Sequence, residues 1–144
     1  MTATDPRPDY AAFTRALIDD HRAHGGRITF GPFKDRNLLL LHTIGARSGE
    51  PRLAPVVFSR DGDRLVVVAS KGGAPENPSW FENLLANPEA EIQVKGETIP
   101  VRASTAEGEE RSRLWSLMTE DWPAYDDYQT KTSREIPVVV LSRR

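Results

Sequence analysis

Two glycine-bordered loops with basic residues are the first candidates for ligand binding. Loop 70–73 (SKGG) directly follows an apolar stretch at 66–68, and loop 45–49 (GARSG) is followed by Arg52. Glycine lets the backbone approach a bound group closely, with amide N–H groups and a cation facing it. Arginine binds phosphate or carboxylate through two parallel hydrogen bonds. Each loop alone is also typical of a surface turn, but the two together predict one cleft for an anionic, phosphate-bearing ligand.

Three aromatic residues near the C-terminus are candidates for contact with a flat substrate. Trp122, Tyr125 and Tyr128 recur at every third position, so on a helical turn they would line one face. Burying a tyrosine is costly unless its hydroxyl finds a partner, and two tyrosines beside Asp and Gln therefore favour a half-wet pocket wall. The alternative is that these rings only pack in the core or form a lid.

Other chemistries are disfavoured by the residue types. The chain has no cysteine and three scattered histidines, so we expect no disulfide, no thiolate chemistry and no metal site. Ser48 and Ser70 lie in no Gly-x-Ser-x-Gly motif, and the order of residues suggests no His–carboxylate pair for either hydroxyl. Hydrolysis is therefore not expected, and Ser70 is better suited to donate a hydrogen bond to a ligand.

Length and charge set the class of protein. The chain has 144 residues and a formal net charge of −2, which predict a single domain over residues 10–144 and no nucleic-acid partner. No apolar run approaches about 18 residues, and the N-terminus lacks the apolar core of a signal peptide, so a cytoplasmic protein is expected. Residues 1–9 contain two prolines and no apolar period, which predicts a flexible tail.

A helix is predicted from Tyr10 to the glycines at 25–26. Its apolar stripe contains Phe13, Leu17 and Ile18, at helical spacing. Such a helix could pack on the domain or lie on the inner face of a membrane as a peripheral contact. The mixed charges of its polar face favour packing.

Six predicted strands dominate the rest of the chain. Asp61-Gly62-Asp63 and Lys95-Gly96-Glu97 predict the turns of two antiparallel hairpins. No β-α-β alternation occurs. The predicted fold class is therefore mainly β with flanking helices (α+β), with a closed or nearly closed barrel of six antiparallel strands. The predicted strands are 37–44, 53–60, 64–70, 91–95, 98–104 and 136–142.

Two helices are predicted between these strands. Asn77 is predicted as the N-cap of the first, with Pro78 at its first helical position. Ser104 and Glu107 have the spacing of a capping box, which predicts the start of the second.

Several segments together resemble the deazaflavin-dependent nitroreductase family of actinobacteria. The resemblance covers about residues 21–141, and its most specific part is the Ser-Lys-Gly-Gly to Asn-Pro-x-Trp segment combined with the terminal Ile-Pro-Val-Val-Val. This family adopts a split β-barrel related to the FMN-binding barrels of pyridoxamine oxidases. The segments that carry the resemblance are HRAHGGR, LLLLHTIG with ARSGEPR, DGDRLVVVASKGGAPENPSWFENLLANPE and YDDYQTKTSREIPVVVL.

The resemblance implies an oxidoreductase that transfers a hydride from reduced coenzyme F420 to a quinone or nitro-aromatic acceptor. It implies that Arg47, Ser48 and Arg52 contact the phosphate and glutamyl tail of the coenzyme. It also implies that Ser70, Tyr125 and Tyr128 face the acceptor as catalytic residues. The cofactor-binding residues that it implies are Arg47, Ser48, Arg52, Leu53, Ala54, Pro55, Val56, Val57, Val68, Ala69, Ser70, Lys71, Gly72, Trp80 and Asn83.

Two other functions fit the same residues. One is an FMN-dependent oxidoreductase on the same barrel, and the other is a protein that binds the deazaflavin without turnover. Ala46 stands where relatives often have a basic residue, and Trp122 stands where relatives can have tyrosine. Tail affinity and the range of acceptors therefore cannot be carried over from the family. A homodimer is expected only by analogy with other split barrels.

Overall fold

Six antiparallel strands close into a barrel in the computed structural model, which describes residues 10–144. The order around the barrel is β1–β2–β3–β6–β5–β4. The predicted six-stranded antiparallel barrel is confirmed, while the predicted tail at 1–9 lies outside the described residues. The strands are β1 (Leu38–Ile44), β2 (Pro51–Asp61), β3 (Arg64–Val68), β4 (Glu89–Val94), β5 (Glu97–Thr105) and β6 (Val138–Arg143).

Both predicted hairpins are present. Asp61 pairs with Arg64 across the β2–β3 turn, and Val94 pairs with Glu97 across the β4–β5 turn. The β4–β5 turn consists of Lys95 and Gly96, and both have positive φ angles, of 50° and 79°. Two consecutive residues with positive φ twist a two-residue turn in the same sense as the strands, which keeps the hairpin in register.

The strands alternate between two apolar environments. In β3, Leu65 and Val67 face the barrel interior, while Val66 and Val68 pack against the helices outside. In β6, Val139 and Leu141 face the interior in the same way. Because both faces of these strands are covered, their sequences are apolar throughout instead of alternating with polar residues.

The N-terminal helix α1 (Tyr10–Ala23) packs against the outside of the barrel. Leu17 is buried with Ile28 and Leu38, and Phe13 packs against this cluster. Packing was the favoured alternative for this helix, and a contact with lipid stays a prediction. Within residues 10–144, no helix has the length and apolarity needed to cross a bilayer.

Three further helices are α2 (Ser79–Ala86), α3 (Gly108–Asp121) and α4 (Ala124–Thr130). The predicted start of α2 was wrong by one residue, because Pro78 is the N-cap and the Asn77 side-chain oxygen instead accepts a hydrogen bond from Arg134. The predicted capping box was also wrong. Ser104 pairs with Val140 as part of β5, and α3 begins only at Gly108.

Candidate functional site

Two adjoining cavities contain most of the predicted site. The larger, of about 800 Å³, is lined by Arg47, Ser48 and Arg52, and we name it the arginine cavity. The smaller, of about 280 Å³, is named the aromatic cavity, and its lining includes Trp80, Trp122, Tyr125 and Tyr128.

Residues 77–80 contribute to the lining of both cavities. Asn77 and Ser79 line the arginine cavity, whereas Pro78 and Trp80 line the aromatic cavity. The sequence predicted one cleft for both basic loops. The structure instead places Arg47 in the arginine cavity and Lys71 in the aromatic cavity, and the segment that leads into α2 lines both.

The arginine cavity presents cations that are only partly neutralised. Arg47 makes no ion pair or hydrogen bond with any side chain or backbone group within residues 10–144. Arg52 donates to the Ser48 hydroxyl at 3.3 Å, and its guanidinium lies 3.5 Å from the Glu50 carboxylate. Such exposed pairs are weak in water, so both guanidinium groups can rearrange around an anion.

Asn83 of α2 holds loop 45–49, which carries Arg47. Its side-chain oxygen accepts a hydrogen bond from the Ala46 amide at 2.9 Å, and its NH₂ group donates to the Thr43 hydroxyl at 3.0 Å. Asn83 and Thr43 are both buried. The predicted role of Asn83 at the site is therefore accompanied by a clear structural one, since it ties α2 to the end of β1.

The aromatic cavity has a wall of ordered rings. Tyr125 and Tyr128 pack edge to face with their centroids 6.1 Å apart. Trp122 stacks on Phe33, with centroids 5.6 Å apart and an angle of 14° between the ring planes. The predicted alignment of Trp122, Tyr125 and Tyr128 on one side of the chain is thus found in the structure, and all three line this cavity.

The Tyr125 hydroxyl is held in its protonated form. The residue is only 5% exposed. Burial raises the pKa of Tyr125 well above its ordinary value, and the neighbouring Tyr128 and Asp121 raise it further. Its hydroxyl has no hydrogen-bond partner in the described part of the chain, and neither has that of Ser70. Both groups line the cavity and can donate to a bound oxygen atom.

Loop 70–74 has a backbone that suits a close approach. Lys71 and Gly72 have positive φ angles of 46° and 63°. A Cβ atom on Gly73 would lie 2.7 Å from the Tyr128 carbonyl oxygen, so only glycine fits between this loop and α4. The Lys71 ammonium lies 2.9 Å from the Glu76 carboxylate, and it holds the pKa of that carboxyl below its usual value.

Arg134 is the main residue that the sequence reasoning missed. It donates four hydrogen bonds to the segment between residues 69 and 77, across 57 to 65 positions of the sequence. It lies in the irregular stretch before β6, where no spacing marks it. The only signal was its place within the C-terminal segment that carried the family resemblance.

Most of the remaining predicted residues line the aromatic cavity. Pro55, Val56, Val57, Val68 and Gly72 line the aromatic cavity. Leu53, Ala54 and Ala69 line neither cavity, since Ala54 and Ala69 belong to or pack against the barrel interior. Within residues 10–144, no three His, Asp or Glu side chains come together as a metal site.

Comparison with known proteins gives consistent matches. The family model for F420H(2)-dependent quinone reductases matches residues 13–143. An F420H(2)-dependent quinone reductase of Mycobacterium tuberculosis is 46% identical over 109 residues, which are 74% of this chain and 73% of that protein.

Two solved structures are similar as well. That of an F420-H2 dependent reductase, FDR-A, is 42% identical with a TM-score of 0.68, and the match covers 73% of this chain and 93% of that one. Another, described as a domain-swapped dimer, is 35% identical with a TM-score of 0.70, over 93% of this chain and 98% of that one.

Proposed function

The chain belongs to the F420H(2)-dependent quinone reductase family, and from that premise we propose that it transfers a hydride from reduced coenzyme F420 to a quinone. Membership of this oxidoreductase family confirms the resemblance predicted from the sequence. The observation that carries the proposal is that residues 77–80 line both the arginine cavity and the aromatic cavity. A coenzyme with an anionic tail and a flat ring system requires these two environments side by side.

The arginine cavity fits the tail of the coenzyme. A phosphodiester and several carboxylates need more than one cation, and Arg47 and Arg52 both line this cavity. Arg47 has no partner to give up within residues 10–144, and Arg52 has only long contacts with Ser48 and Glu50. The Ser48 hydroxyl adds a further hydrogen-bonding group. We therefore assign Arg47, Ser48 and Arg52 to the tail and Asn83 to holding their loop.

The aromatic cavity fits the ring and the acceptor. Trp80, Val56 and Val68 contribute apolar side chains to its lining, and Trp122 and Tyr128 contribute aromatic rings. When bound, the reduced coenzyme supplies a hydride, and one further proton then completes the conversion of a quinone to a hydroquinone. The contribution of the protein is to hold the two rings in contact and to exclude water.

Hydroxyl groups stabilise the charge that forms on the acceptor oxygen. Ser70, Tyr125 and Tyr128 line the cavity, and within residues 10–144 the hydroxyls of Ser70 and Tyr125 are free to donate. Because its pKa is raised, Tyr125 acts as a hydrogen-bond donor that keeps its proton. The proton that completes the hydroquinone then comes from solvent at the open side of the cavity or through Tyr128.

An anaerobic reaction tests the proposed function. Reduced F420 is mixed with the protein and menadione, and its oxidation is followed by the absorbance of the deazaflavin. We expect oxidation much faster than in buffer, and oxidation no faster than in buffer contradicts the proposal. Nitrobenzene in place of menadione tests the nitro-aromatic acceptor that the sequence also predicted.

The same preparation distinguishes the two alternative functions. An FMN-dependent enzyme on this barrel would carry a yellow flavin after purification and would be reduced by a different donor. A carrier would bind F420 and quench Trp80 fluorescence, but it would accelerate oxidation with neither acceptor. The arginine cavity favours F420 over FMN. FMN has a single phosphate and no glutamyl tail that could fill a cavity of this size and contact both Arg47 and Arg52.

The assembly and the location of the protein are further proposals. A relative is described as a domain-swapped dimer, which supports the predicted homodimer, and light scattering of the purified protein measures this directly. A cytoplasmic location and a contact of α1 with lipid stay predictions, and co-sedimentation with anionic vesicles tests the contact.

A further inference from the structure

Segment 69–77, which we name the coenzyme loop, is bonded to the stretch before β6 mainly through the side chain of Arg134. We propose that Arg134 is a positioning residue that fixes segment 69–77 in the conformation needed for hydride transfer, an inference that rests on the function proposed above. The side chain lines neither cavity. It acts through the backbone of the loop, which does line the aromatic cavity at Ser70, Lys71 and Gly72.

All three nitrogens of the Arg134 guanidinium group donate hydrogen bonds to this segment. Its three nitrogens donate to the carbonyl oxygens of Ala69, Ser70 and Ala74 at 3.2, 2.9 and 3.0 Å, and to the Asn77 side-chain oxygen at 2.8 Å. Only arginine can satisfy four oxygens spread over one plane, because its five N–H donors form a rigid fork. These bonds therefore set the path of the loop from the end of β3 to the start of α2.

This arrangement leaves the amides of the loop available. The carbonyls of Ala69, Ser70 and Ala74 are taken by Arg134, whereas the N–H groups of Ser70, Lys71 and Gly72 have no acceptor in the described part of the chain. Successive amides next to residues with positive φ form a concave donor set for an anion or a carbonyl oxygen. The conformation of Lys71 is one that a non-glycine residue adopts only when its surroundings impose it.

Arg134 also makes no close ion pair in the described part of the chain, although its charge, after that of Lys71, helps to lower the pKa of the Glu76 carboxyl. All four of its hydrogen bonds go to neutral oxygens, and within residues 10–144 no carboxylate lies within ion-pair distance of it. Arg113, by contrast, donates both of its bonds to the Asp61 carboxylate. A positive charge beside the free amides strengthens their attraction for negative charge on a bound ring.

Arg134 connects the coenzyme loop to the helix that carries the tyrosines. Gln129 of α4 donates to the Arg134 carbonyl oxygen at 2.7 Å and accepts from the Ile136 amide at 3.0 Å. Gln129 directly follows Tyr128, and Gly73 packs against the backbone of that same turn. One hydrogen-bond network therefore fixes both segment 69–77 and α4. Through these two elements it sets the separation between the coenzyme ring and the acceptor ring.

Two variants and a matched control test this role. Arg134→Ala removes all four bonds, and Arg134→Lys keeps the charge but offers fewer donors. Arg144→Ala is the control, because Arg144 also donates to a backbone carbonyl, that of Ala90 at 3.1 Å, and lines neither cavity. Each protein is measured by amide hydrogen exchange of peptides covering 69–77, by F420 affinity, and by the rate of a single turnover with menadione.

The expected pattern separates positioning from general stability. In Arg134→Ala, exchange in 69–77 rises about tenfold or more while the barrel strands keep their protection, and F420 binds about tenfold more weakly. The single-turnover rate falls about 100-fold even at saturating coenzyme, since small displacements of the rings are costly. Arg134→Lys should give values of exchange, affinity and rate between those of wild type and Arg134→Ala. Added guanidinium should restore part of the single-turnover rate of Arg134→Ala, whereas urea should not.

Other results would overturn the inference. If Arg134→Ala matches Arg144→Ala in loop exchange, affinity and rate, Arg134 has no positioning role. If Arg134→Ala does not fold, Arg134→Lys decides: an unchanged rate and unchanged loop exchange reject the role. A wild-type protein that shows no turnover contradicts the proposed function instead, and loop exchange and F420 binding still decide whether Arg134 organises the loop.

Discussion

The arginine cavity and the aromatic cavity adjoin, yet they are built in opposite ways. In the arginine cavity Arg47, Ser48 and Arg52 are exposed side chains, and Arg47 has no partner within residues 10–144. In the aromatic cavity the groups are held by packing, with Tyr125 only 5% exposed and Trp122 stacked on Phe33. The first can adapt to a flexible anionic tail, whereas the second presents a fixed shape.

This difference predicts a division of labour between affinity and rate. Charge contacts with a tail far from the reacting atoms are equally strong in the ground state and in the transition state, so they lower Kd and KM without raising kcat. Contacts with the ring and the acceptor change during hydride transfer and therefore act on kcat. Variants in each cavity should separate these two quantities.

The largest effect is expected from the double variant Arg47→Ala/Arg52→Ala. Each charge-assisted hydrogen bond contributes about 1.5–3 kcal/mol, so losing both should weaken F420 binding at least about 100-fold. The rate of a single turnover at saturating coenzyme should change less than about threefold, because these contacts are uniform. Fluorescence titration gives the affinity, and stopped-flow absorbance gives the rate.

Arg102→Ala/Arg143→Ala is the matched control. It removes the same charge from two exposed arginines, each with one carboxylate partner and both outside the two cavities at the site. Its F420 affinity should stay within about threefold of wild type, an effect of screened long-range charge only. An equal loss in both double variants would mean that net charge, and not the arginine cavity, attracts the coenzyme.

The next largest effect is expected from Tyr125→Phe. Loss of one donor to the developing oxyanion should lower the single-turnover rate about tenfold to 100-fold, while F420 affinity stays within about twofold. The fold should tolerate the change, because this hydroxyl has no protein partner in the described part of the chain. A weakened affinity with an unchanged rate would place Tyr125 at the coenzyme and not at the acceptor.

The raised pKa of Tyr125 gives the same variant a pH signature. Below about pH 10 the hydroxyl is protonated in both the folded and the unfolded chain, so its contribution to stability is fully present. Above that pH the unfolded chain releases the proton first, and the free energy of unfolding falls as the pH rises toward the raised pKa. Urea unfolding on either side of about pH 10 should show a smaller alkaline loss in Tyr125→Phe than in wild type.

The fold was predictable because its signals are local. The apolar strands at 38–44 and 138–143 are covered on both faces, and the turns at 61–63 and 95–97 contain the glycines that hairpins need. The capping box failed for a tertiary reason. Pairing of Ser104 and Thr105 with β6 extends β5 through a sequence that would otherwise favour a helix start.

The site was predictable only in its residue types. Arg47, Ser48 and Arg52 lie within a few positions of one another, so loop 45–49 and the start of β2 bring them together. The division into two cavities depends on where α2 packs, and Arg134 bonds to residues 57 to 65 positions away. Neither relation leaves a spacing in the sequence, because long-range contacts follow from the closed barrel and not from local pattern.

A smaller effect is expected from Trp122→Leu. Stacking between aromatic rings contributes about 0.5–1.5 kcal/mol, so the KM for menadione should rise about two- to tenfold while F420 affinity is unchanged. Trp115→Leu is the control, since Trp115 packs on Tyr125 but does not line the cavity. If both variants raise the KM equally, the effect comes from loosened packing around Tyr125 and not from stacking with the acceptor.

The smallest effect is expected from Glu76→Gln. The aromatic cavity, like the arginine cavity, is lined by a basic residue that an exposed carboxylate neutralises in part. Lys71 is the cation of the aromatic cavity, and its ammonium is held by Glu76 at 2.9 Å. Both side chains are exposed, so the pair is weak, and Glu76→Gln should tighten F420 binding only about two- to fivefold. Glu109→Gln removes the same charge on α3 and should leave the affinity unchanged.

In the Lys71→Gln background the gain should vanish, because no cation is then released. If Glu76→Gln still tightens F420 binding in the Lys71→Gln background, Glu76 repels the coenzyme directly. The Lys71 ammonium then contributes nothing to F420 binding.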